Sequence, residues 1–307
     1  MFTAAILLDY KTGKWEANMA SRALWVRRIM EDLGPCFIKM AQQISTRSDV
    51  IPETYLKELR ALQDNVRTFS TVEAREVLEE GLGQPVDQVF EWLSEEPLAA
   101  ASLGQVYRGK LRDDCGGLEV AVKVQRPGVL ETCALDIHIL RRVTVLMSMI
   151  PGMSGEWQGA LDDWALRFFE ELDYQLEASN TIAFQKSMEG LEGVMVATVI
   201  PEYTSRKIIV TEWIEGQKLN KARPEQIKAL CGTLLNCYLI QLLETGLLHA
   251  DPHPGNLLLS PDGRIVILDF GLMTEVTEDQ RIALVEFISH MMMDDWNAVA
   301  KDLEKLG

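Results

Sequence analysis

The sequence predicts an α+β fold, with helices at both ends of the chain and strands between them. Two observations support this prediction. Apolar residues recur at helical spacing over residues 53–63, whereas residues 118–124 alternate between apolar and polar with period two, as in a strand. The chain has 307 residues, of which 47% are hydrophobic. It is therefore long enough to build two lobes, each with its own core.

The order of elements follows from the same periodicities and from turn residues. Ser70 or Thr71 caps the second helical segment, and Gly116 and Gly117 turn the chain into the period-two strand. The predicted helices cover residues 15–62, 71–80, 130–149, 157–188, 225–248 and the tail from 277. The predicted strands cover residues 98–111, 118–124, 194–200, 207–214, 257–259 and 265–268.

Composition excludes several classes of function. The formal net charge of −16 argues against a nucleic-acid-binding protein, which carries a basic footprint. The five cysteines show neither C-x-x-C pairs nor zinc spacing, so we expect reduced thiols. The longest weakly polar stretch, 229–243, is shorter than the about 20 residues that a bilayer requires. Residues 1–8 lack the basic start of a signal peptide.

The most specific motif lies near the end of the chain. Residues 249–256 read HADPHPGN and precede a short hairpin, and residues 269–271 read DFG and follow it. Phosphoryl transfer needs metal ions that bridge phosphates and a carboxylate that positions the nucleophile. Carboxylate and amide oxygens are ligands that suit Mg²⁺. An H-x-D-x-x-x-x-N loop followed by D-F-G matches these needs in protein kinases.

Roles follow from this match. We expect Asp251 to be the catalytic residue that orients the acceptor hydroxyl or water, and Asn256 and Asp269 to hold the metal. His249 is expected to brace the loop rather than react. The alternative is that the histidines are ordinary loop residues and Asp269 only caps a turn. The presence of both motifs in this order favours the catalytic interpretation.

An alanine-rich loop and a strand lysine precede this motif. Lys123 stands in a V-A-V-K strand and is similar to the kinase lysine that pairs the α- and β-phosphates. Aligned on Val106, Ala99 and Ala101 replace two loop glycines. Alanine reaches positive φ only with strain, so a stiffer loop is expected. The predicted nucleotide contacts are Ala99, Ala101, Ser102, Gly104, Val106, Ala121, Lys123, Glu212 and Ile214.

Together these motifs resemble the UbiB-like atypical kinase family, also called aarF-domain kinases, over about residues 33–271. The family marks are an alanine-rich loop, a K-x-G-Q helix, an E-x-D-Y-x-x-E-A-x-N segment and the H-x-D-P-H-P-G-N loop. In this sequence they are residues 99–106, 39–42, 171–180 and 249–256, with Ala41 in place of the K-x-G-Q glycine.

The resemblance implies a bilobal protein-kinase-like fold with a helical N-terminal extension. Residues 1–95 would form the extension with its K-x-x-Q motif, residues 96–215 the N-lobe, and residues 216–307 the C-lobe. The 36 residues after Gly271 are few for a complete helical lobe, so we expect a fragment or a reduced member.

The resemblance also assigns pairing and regulatory roles. Lys123 would pair with Glu177, and Lys39 would contact two acidic residues. Lys39 and Gln42 would then lie over the active site and block protein substrates. Without the resemblance, these are an ordinary surface lysine and an ordinary acidic helix face. The residues with these implied roles are Glu177, Lys39, Gln42, Glu171 and Asp173.

The resulting functional expectation is an Mg-ATP-binding enzyme, either an ATPase or a kinase of a small or lipid acceptor. The resemblance implies support of prenylquinone metabolism, of the ubiquinone or plastoquinone type, and poor phosphorylation of other proteins. Expected partners are adenine nucleotide, isoprenoid-quinone lipids, a membrane surface and quinone-biosynthesis proteins. One alternative is a nucleotide-switched pseudokinase that moves lipids or acts as a scaffold. Another is an aminoglycoside-phosphotransferase-like enzyme, against which D-F-G and residues 39–42 argue.

Residues 33–49 resemble the plastid and cyanobacterial branch more than the mitochondrial one. The expected location is therefore a chloroplast before a mitochondrion, or a cyanobacterium, at the periphery of a membrane.

Overall fold

The structure is a computed structural model. It describes residues 9, 11–45, 48–49, 51–63, 67–149, 157–251 and 254–306. Pro252 and His253 of the predicted catalytic loop, and the apolar start at 1–8, therefore lie outside the described residues. The chain divides into two compact units, Met1–Leu172 and Asp173–Gly307. The three-part division expected from the sequence stays a prediction.

The first unit combines a helical segment with a small antiparallel sheet. Its helices are α1 (Trp15–Leu33), α2 (Pro35–Ile44), α3 (Glu53–Arg60), α4 (Thr71–Leu82), α5 (Val86–Val89), α6 (Val129–Ser148) and α7 (Trp157–Glu170). Its strands are β1 (Phe90–Leu93), β2 (Ala99–Ala100), β3 (Gly104–Leu111) and β4 (Glu119–Gln125). Strand β3 pairs antiparallel with β1, β2 and β4.

The second unit is mostly helical and contains short strand pairs. Its helices are α8 (Tyr174–Ser187), α9 (Pro224–Ile240), α10 (Glu278–Met292) and α11 (Trp296–Leu306). Its strands are β5 (Val194–Val196), β6 (Ile208–Glu212), β7 (Gln217–Lys218), β8 (Leu247–His249), β9 (Leu257–Leu259), β10 (Ile265–Ile267) and β11 (Met273–Glu275). Strand β10 pairs antiparallel with β9 and parallel with β5.

Local sequence signals explain the boundaries in the first unit. Ser70 caps α4 in a capping box with Glu73, as the sequence predicts. Gly34, at φ 101°, separates α1 from α2, and Pro35 opens α2. The strand predicted at 118–124 is confirmed, because Val120, Val122 and Val124 of β4 are fully buried and alternate with less buried residues.

The helix predicted over 157–188 is instead two helices. α7 ends at Glu170 and α8 begins at Tyr174. The Asp173 side chain accepts hydrogen bonds from the backbone N–H groups of Gln175 and Leu176, and so caps α8. Apolar periodicity continues through this break, which is why the pattern alone does not reveal it.

The helix predicted over 225–248 ends earlier. α9 stops at Ile240, a π-helical turn covers Gln241–Thr245, and Gly246 then leads into β8 at φ 72°. Its apolar face was expected to be deeply buried, yet Leu235 is 60% exposed. The buried stripe instead follows Leu230 and Cys237, at the spacing of two helical turns.

By length and composition alone, Pro224–Thr245 could cross a membrane, and it is the one such run in the part of the chain that the structure describes. It is longer than the 229–243 stretch considered in the sequence. The core helix of a soluble protein passes the same test, so this indication is weak.

The core of the second unit surrounds the β9–β10 hairpin. Phe184 of α8, Cys237 of α9 and Phe270 of the DFG turn pack there with the buried residues of both strands. The three-residue strands are too short to be stable alone, so they depend on this packing. The hairpin connects the 249–256 loop to the DFG turn, so this packing fixes the position of both motifs.

Gly246 offers a direct test of this geometry. A Cβ at this position would lie 2.6 Å from the carbonyl oxygen of Val276, and φ is 72°. We predict that Gly246→Ala lowers the free energy of unfolding by about 2–4 kcal/mol, from left-handed strain and steric overlap together. The measurement is urea denaturation followed by circular dichroism.

The matched control is Gly263→Ala, which has φ 90° but open space around the added Cβ. It should cost only the backbone strain, about 1–2 kcal/mol. Equal losses in the two variants would contradict a tight approach at Gly246.

Candidate functional site

The alanine-rich segment of the first unit is a tight hairpin. Ala99 of β2 lies opposite Val106 of β3, and the Ala101 N–H donates to the Gly104 carbonyl oxygen at 2.8 Å. Ser102 and Leu103 are therefore the two central residues of the turn. The loop is an extension of the sheet rather than a long flap.

The two alanines do not occupy the left-handed conformation that glycine allows. Asp294 is the only non-glycine residue with positive φ among the described residues. Ala99 and Ala101 thus need no left-handed conformation, so alanine in place of the loop glycines causes no backbone strain here. The turn is nevertheless fixed, because Leu103 packs in a buried cluster with Cys36 and Val129.

Arg126 holds this turn from the end of β4. Its backbone N–H donates to the Leu103 carbonyl oxygen at 2.8 Å, and its Nε donates to the Ser102 carbonyl oxygen at 3.4 Å. Its guanidinium also lies over the Phe69 ring, 5.2 Å from the centroid. Sequence reasoning missed this residue, although it follows Lys123 by three positions in the same strand region.

Lys123 shares one sheet face with several predicted nucleotide contacts. In the pairing register it lies opposite Val106, and Val106 lies opposite Ala99. Side chains at directly opposed positions point to the same face, as does Ala121, two residues before Lys123. Val106, Ala121 and Lys123 are only partly buried. Near Lys123 this face presents the apolar side chains of Val106 and Ala121, and Arg108, which lies opposite Ala121, shares it. Apolar side chains beside cationic groups suit a site for a nucleotide.

Lys39 of α2 forms an ion pair with Glu171. The Lys39 Nζ atom lies 2.6 Å from Glu171 Oε2, and the side chains are 14% and 7% exposed. This is one of the contacts that the family resemblance implies; its regulatory role stays a prediction. Gln42 lies one helical turn further along α2 and donates to the Leu62 carbonyl oxygen at 2.9 Å. That contact ties α2 to the end of the α3 region.

His249 organises the predicted catalytic loop in the second unit. Its backbone N–H donates to Gln241 Oε1 at 2.8 Å, and its Nε2 lies 2.5 Å from the Asp269 carbonyl oxygen. Its Nδ1 accepts from the Asp251 N–H at 3.3 Å. Because the Asp269 oxygen can only accept, the proton of the neutral ring belongs on Nε2. The expected bracing role of His249 has a direct structural basis in these contacts.

The two predicted metal ligands lie at the ends of the β9–β10 hairpin. Asn256 Nδ2 donates to the Asp251 carbonyl oxygen at 3.4 Å. Asp269 Oδ1 accepts from the Gly271 N–H at 3.0 Å, so this carboxylate does cap the DFG turn. A carboxylate has about four acceptor positions, and one cap leaves capacity for a metal.

No cluster of three or more His, Cys, Asp or Glu residues among the described positions could hold a metal by itself. The donor set is one carboxylate and one amide. This set fits Mg²⁺ that also binds phosphate oxygens and water, the usual arrangement in nucleotide sites. When bound, the metal would supply neutralisation of phosphate charge, with Asn256 and Asp269 as its protein ligands.

The 171–180 segment supports the same turn. Asn180 Nδ2 donates to the Phe270 carbonyl oxygen at 3.0 Å, and the Phe270 ring packs 4.9 Å from the Phe184 ring. Glu177, one turn before Asn180 on α8, is 4% exposed. A carboxylate buried this deeply requires a compensating partner. Its predicted pairing with Lys123 stays a prediction.

Glu212 is the last residue of β6 and Ile214 follows it, in the segment predicted to offer backbone groups to adenine. The Glu212 N–H donates to the Thr198 carbonyl oxygen at 2.8 Å. The role of both residues stays a prediction.

Near the predicted catalytic loop, burial raises the pKa of the Tyr238 hydroxyl, and Cys237 and Asp251 raise it further. The Tyr238 hydroxyl therefore stays protonated near neutral pH.

Gln241 is the functional residue that sequence reasoning missed most clearly. It is fully buried, accepts from the His249 N–H, and donates to the Cys237 carbonyl oxygen at 3.1 Å. The available signal was its position: it continues the buried stripe of Leu230 and Cys237 at helical spacing. A polar residue on such a stripe needs a specific partner.

A strand lysine on the open face of a small sheet, together with this loop and DFG turn, defines a protein-kinase-like protein. Residues 61–303 match the model of the ABC1 atypical kinase-like domain. The chain therefore belongs to the ABC1 atypical kinase-like family, and the α+β kinase-like fold predicted from the sequence is confirmed.

Relatives agree with the branch that the sequence indicated. The chain is 42% identical to ACTIVITY OF BC1 COMPLEX KINASE 3, a chloroplastic protein of Arabidopsis thaliana, over 98% of this chain and 43% of that protein. It is 39% identical to a Synechocystis protein over 99% of this chain and 45% of that one. The chain thus spans less than half the length of these relatives.

A solved structure supports the fold over nearly the whole chain. The Rv3197 protein of Mycobacterium tuberculosis, solved in complex with erythromycin, is 29% identical with a TM-score of 0.68. The similarity covers 97% of this chain and 75% of that chain.

The Gln241 contact predicts a local stability loss. Gln241→Leu keeps the volume but leaves the buried His249 N–H without its acceptor, which should cost about 1–3 kcal/mol. Urea denaturation measures this, with Gln217→Leu on the exposed strand β7 as the control. Equal stability of Gln241→Leu and the wild type would refute the bracing role of Gln241.

The Lys39–Glu171 pair predicts strong coupling. Lys39→Met or Glu171→Gln alone leaves a nearly buried partner uncompensated, so we expect an interaction free energy of about 1–3 kcal/mol in a double-mutant cycle. The exposed Arg60–Glu53 pair is the control, with side chains 46% and 69% exposed. Its coupling should be at most about 0.5 kcal/mol. Similar coupling in the two cycles would contradict a special role for Lys39.

Proposed function

We propose that this protein binds Mg-ATP and either hydrolyses it or transfers its γ-phosphoryl group to a small or lipid acceptor. The observation that carries the proposal is the set of contacts around His249. They hold the backbone of Asp251 and Asp269 together through one buried ring. Phosphoryl transfer relies on groups that are held in position, and these contacts fix the backbone of both aspartates.

The proposal gives each unit its own role. The first unit supplies Lys123 for the phosphates and the sheet face with Val106 and Ala121 for the base. The remaining phosphate-side contacts would come from the alanine-rich hairpin, namely Ala99, Ala101, Ser102 and Gly104. In the second unit, Asp251 orients the acceptor, and Asn256 and Asp269 hold the metal. Glu212 and Ile214 offer backbone groups to the adenine.

In the proposal, the protein phosphorylates other proteins poorly. We assign this restriction to the α2 segment, where Lys39 is held by Glu171 and Gln42 is held by Leu62. Both contacts keep α2 in a fixed conformation. In the proposal this segment limits access of other proteins to the site, so the acceptor is water, a small molecule or a lipid.

The proposed setting is prenylquinone metabolism at a chloroplast or cyanobacterial membrane. The similarity to chloroplastic and cyanobacterial relatives supports the chloroplast or cyanobacterium, and the resemblance to the UbiB-like family supports the prenylquinone role. Isoprenoid-quinone lipids and quinone-biosynthesis proteins are the proposed partners, and the net charge of −16 argues against nucleic acid.

A second candidate is a nucleotide-switched pseudokinase that binds lipid or serves as a scaffold. One observation favours it. Asp269 already uses an oxygen to cap Gly271, so part of its capacity is structural. In this case nucleotide would bind without turnover.

Thermal unfolding with Mg-ATP, Mg-ADP and Mg-GTP tests the site. At about 100 times the dissociation constant, bound nucleotide should raise the Tm by about 5 °C by mass action. Asp269→Asn should abolish the metal-dependent part of the shift, whereas the exposed control Asp279→Asn should retain it. If no adenine nucleotide moves the Tm of the wild type, the nucleotide site is refuted.

Phosphate release then separates the two candidates. Turnover that Asp251→Asn removes, with the nucleotide-induced Tm shift intact, supports the enzyme. Binding without release in the wild type supports the pseudokinase and overturns the enzymatic proposal.

A further inference from the structure

Two cysteines of the first unit form a buried contact that the nucleotide site does not use. Cys36 lies near the start of α2 and Cys133 in the first half of α6, and both are fully buried. The two residues belong to one buried cluster, and both thiols are free. The other three cysteines do not share this arrangement: Cys237 contacts Met188 and Gln241, and Cys115 and Cys231 are at least partly exposed.

An acidic side chain accompanies the pair. Asp136 lies three residues after Cys133 on α6, on the same side of the helix. Its Oδ2 atom is buried and has no hydrogen-bond partner among the described residues. Burial raises the pKa of Asp136, so this carboxyl accepts a proton more readily than an exposed one.

The two thiols differ in acidity. The hydrogen bond from Cys36 lowers the pKa of Cys133, although burial and the charge of Asp136 oppose this effect. The same hydrogen bond and burial raise the pKa of Cys36. The geometry thus gives one thiol that ionises first, a second thiol in contact with it, and a proton acceptor beside them.

We propose that Cys36 and Cys133 form a reversible disulfide that links α2 to α6, with a hydroperoxide as oxidant and Asp136 as the proton acceptor for Cys133. This site goes beyond the proposed nucleotide function and does not depend on it.

The chemistry balances with one peroxide per disulfide. Asp136 takes the Cys133 proton, and the thiolate attacks one oxygen of hydrogen peroxide. The O–O bond breaks, and hydroxide leaves as water with that proton, which gives a sulfenic acid on Cys133. The Cys36 sulfur then attacks the Cys133 sulfur and the S–O bond breaks. Hydroxide leaves as a second water with the Cys36 proton. Two thiols lose two electrons and one peroxide becomes two waters.

A cavity lies next to the start of α2. Gly34, which precedes α2, and Pro35 and Ile38, which flank Cys36 on it, line this cavity of about 140 Å³ together with Ser102 and Arg126. A cavity of this size admits a molecule as small as hydrogen peroxide.

The disulfide would act on a segment that matters for the site. Cys36 precedes Lys39 by three residues on α2, and Lys39 pairs with Glu171. Cys36 and Leu103 of the alanine-rich turn belong to one buried cluster. A covalent bond from α2 to α6 would therefore restrain both the Lys39 segment and the packing under the turn.

Peptide mapping of the full chain tests the proposal. The protein is treated with hydrogen peroxide, its remaining thiols are blocked with N-ethylmaleimide, and tryptic peptides are identified by mass spectrometry. We expect a linked Cys36–Cys133 peptide that dithiothreitol removes. Oxidation should also raise the Tm by about 5 °C or more, because the bond constrains the unfolded chain. Cys36→Ser should lose that rise, and Cys231→Ser should keep it.

The linked Cys36–Cys133 peptide is sought in the wild-type protein, so a variant that fails to fold does not affect this test. Absence of the linked peptide under conditions that oxidise Cys231 overturns the disulfide. Asp136→Asn tests the proton acceptor: we expect linking about tenfold slower near neutral pH, with dithiothreitol reversal unchanged. Linking at the wild-type rate in this variant overturns the role of Asp136.

Discussion

One imidazole ring, that of His249, satisfies two separate backbone groups of the second unit, and the catalytic-loop geometry depends on it. Its two nitrogens face the Asp269 carbonyl oxygen and the Asp251 N–H, which lie on opposite sides of the β9–β10 hairpin in the chain. A neutral ring with the proton on Nε2 serves both at once. The ring also packs edge-on against Phe270 at 5.5 Å, so that its orientation is fixed by apolar contact as well as by hydrogen bonds.

That ring is itself held from two directions. Gln241 accepts from the His249 backbone N–H, and the π-helical turn from Gln241 to Thr245 sets the position of this side chain. On the other side, Asn180 holds the carbonyl oxygen of Phe270. The backbone on both sides of the β9–β10 hairpin is thus held by two neutral amides and one imidazole. Such a network is rigid when every member is satisfied.

Local motifs were visible in the sequence, and long-range supports were not. The 249–256 loop, the DFG turn and the V-A-V-K strand are runs of adjacent residues, so each can be recognised by itself. Asn180 and Phe270 are 90 positions apart, and no spacing rule links them. The break between α7 and α8 was not predicted, because apolar periodicity continues through it. Only the capping carboxylate of Asp173 marks it. The stiffer loop was predicted by comparison with a glycine loop at positive φ, whereas the chain forms a short hairpin in which Ala99 and Ala101 do not have positive φ.

The closed hairpin at Ser102 and Leu103 has a thermodynamic consequence for anything that binds the face of Lys123. A glycine-rich flap samples many conformations before a ligand arrives, and ordering it opposes binding. Here the turn is already held by Arg126 and by its own backbone hydrogen bond. Its conformational entropy is lost on folding instead of on binding, so a ligand on this face meets a preorganised surface. Affinity and exchange rate at this surface would then reflect contacts with the ligand itself rather than the closing of a lid.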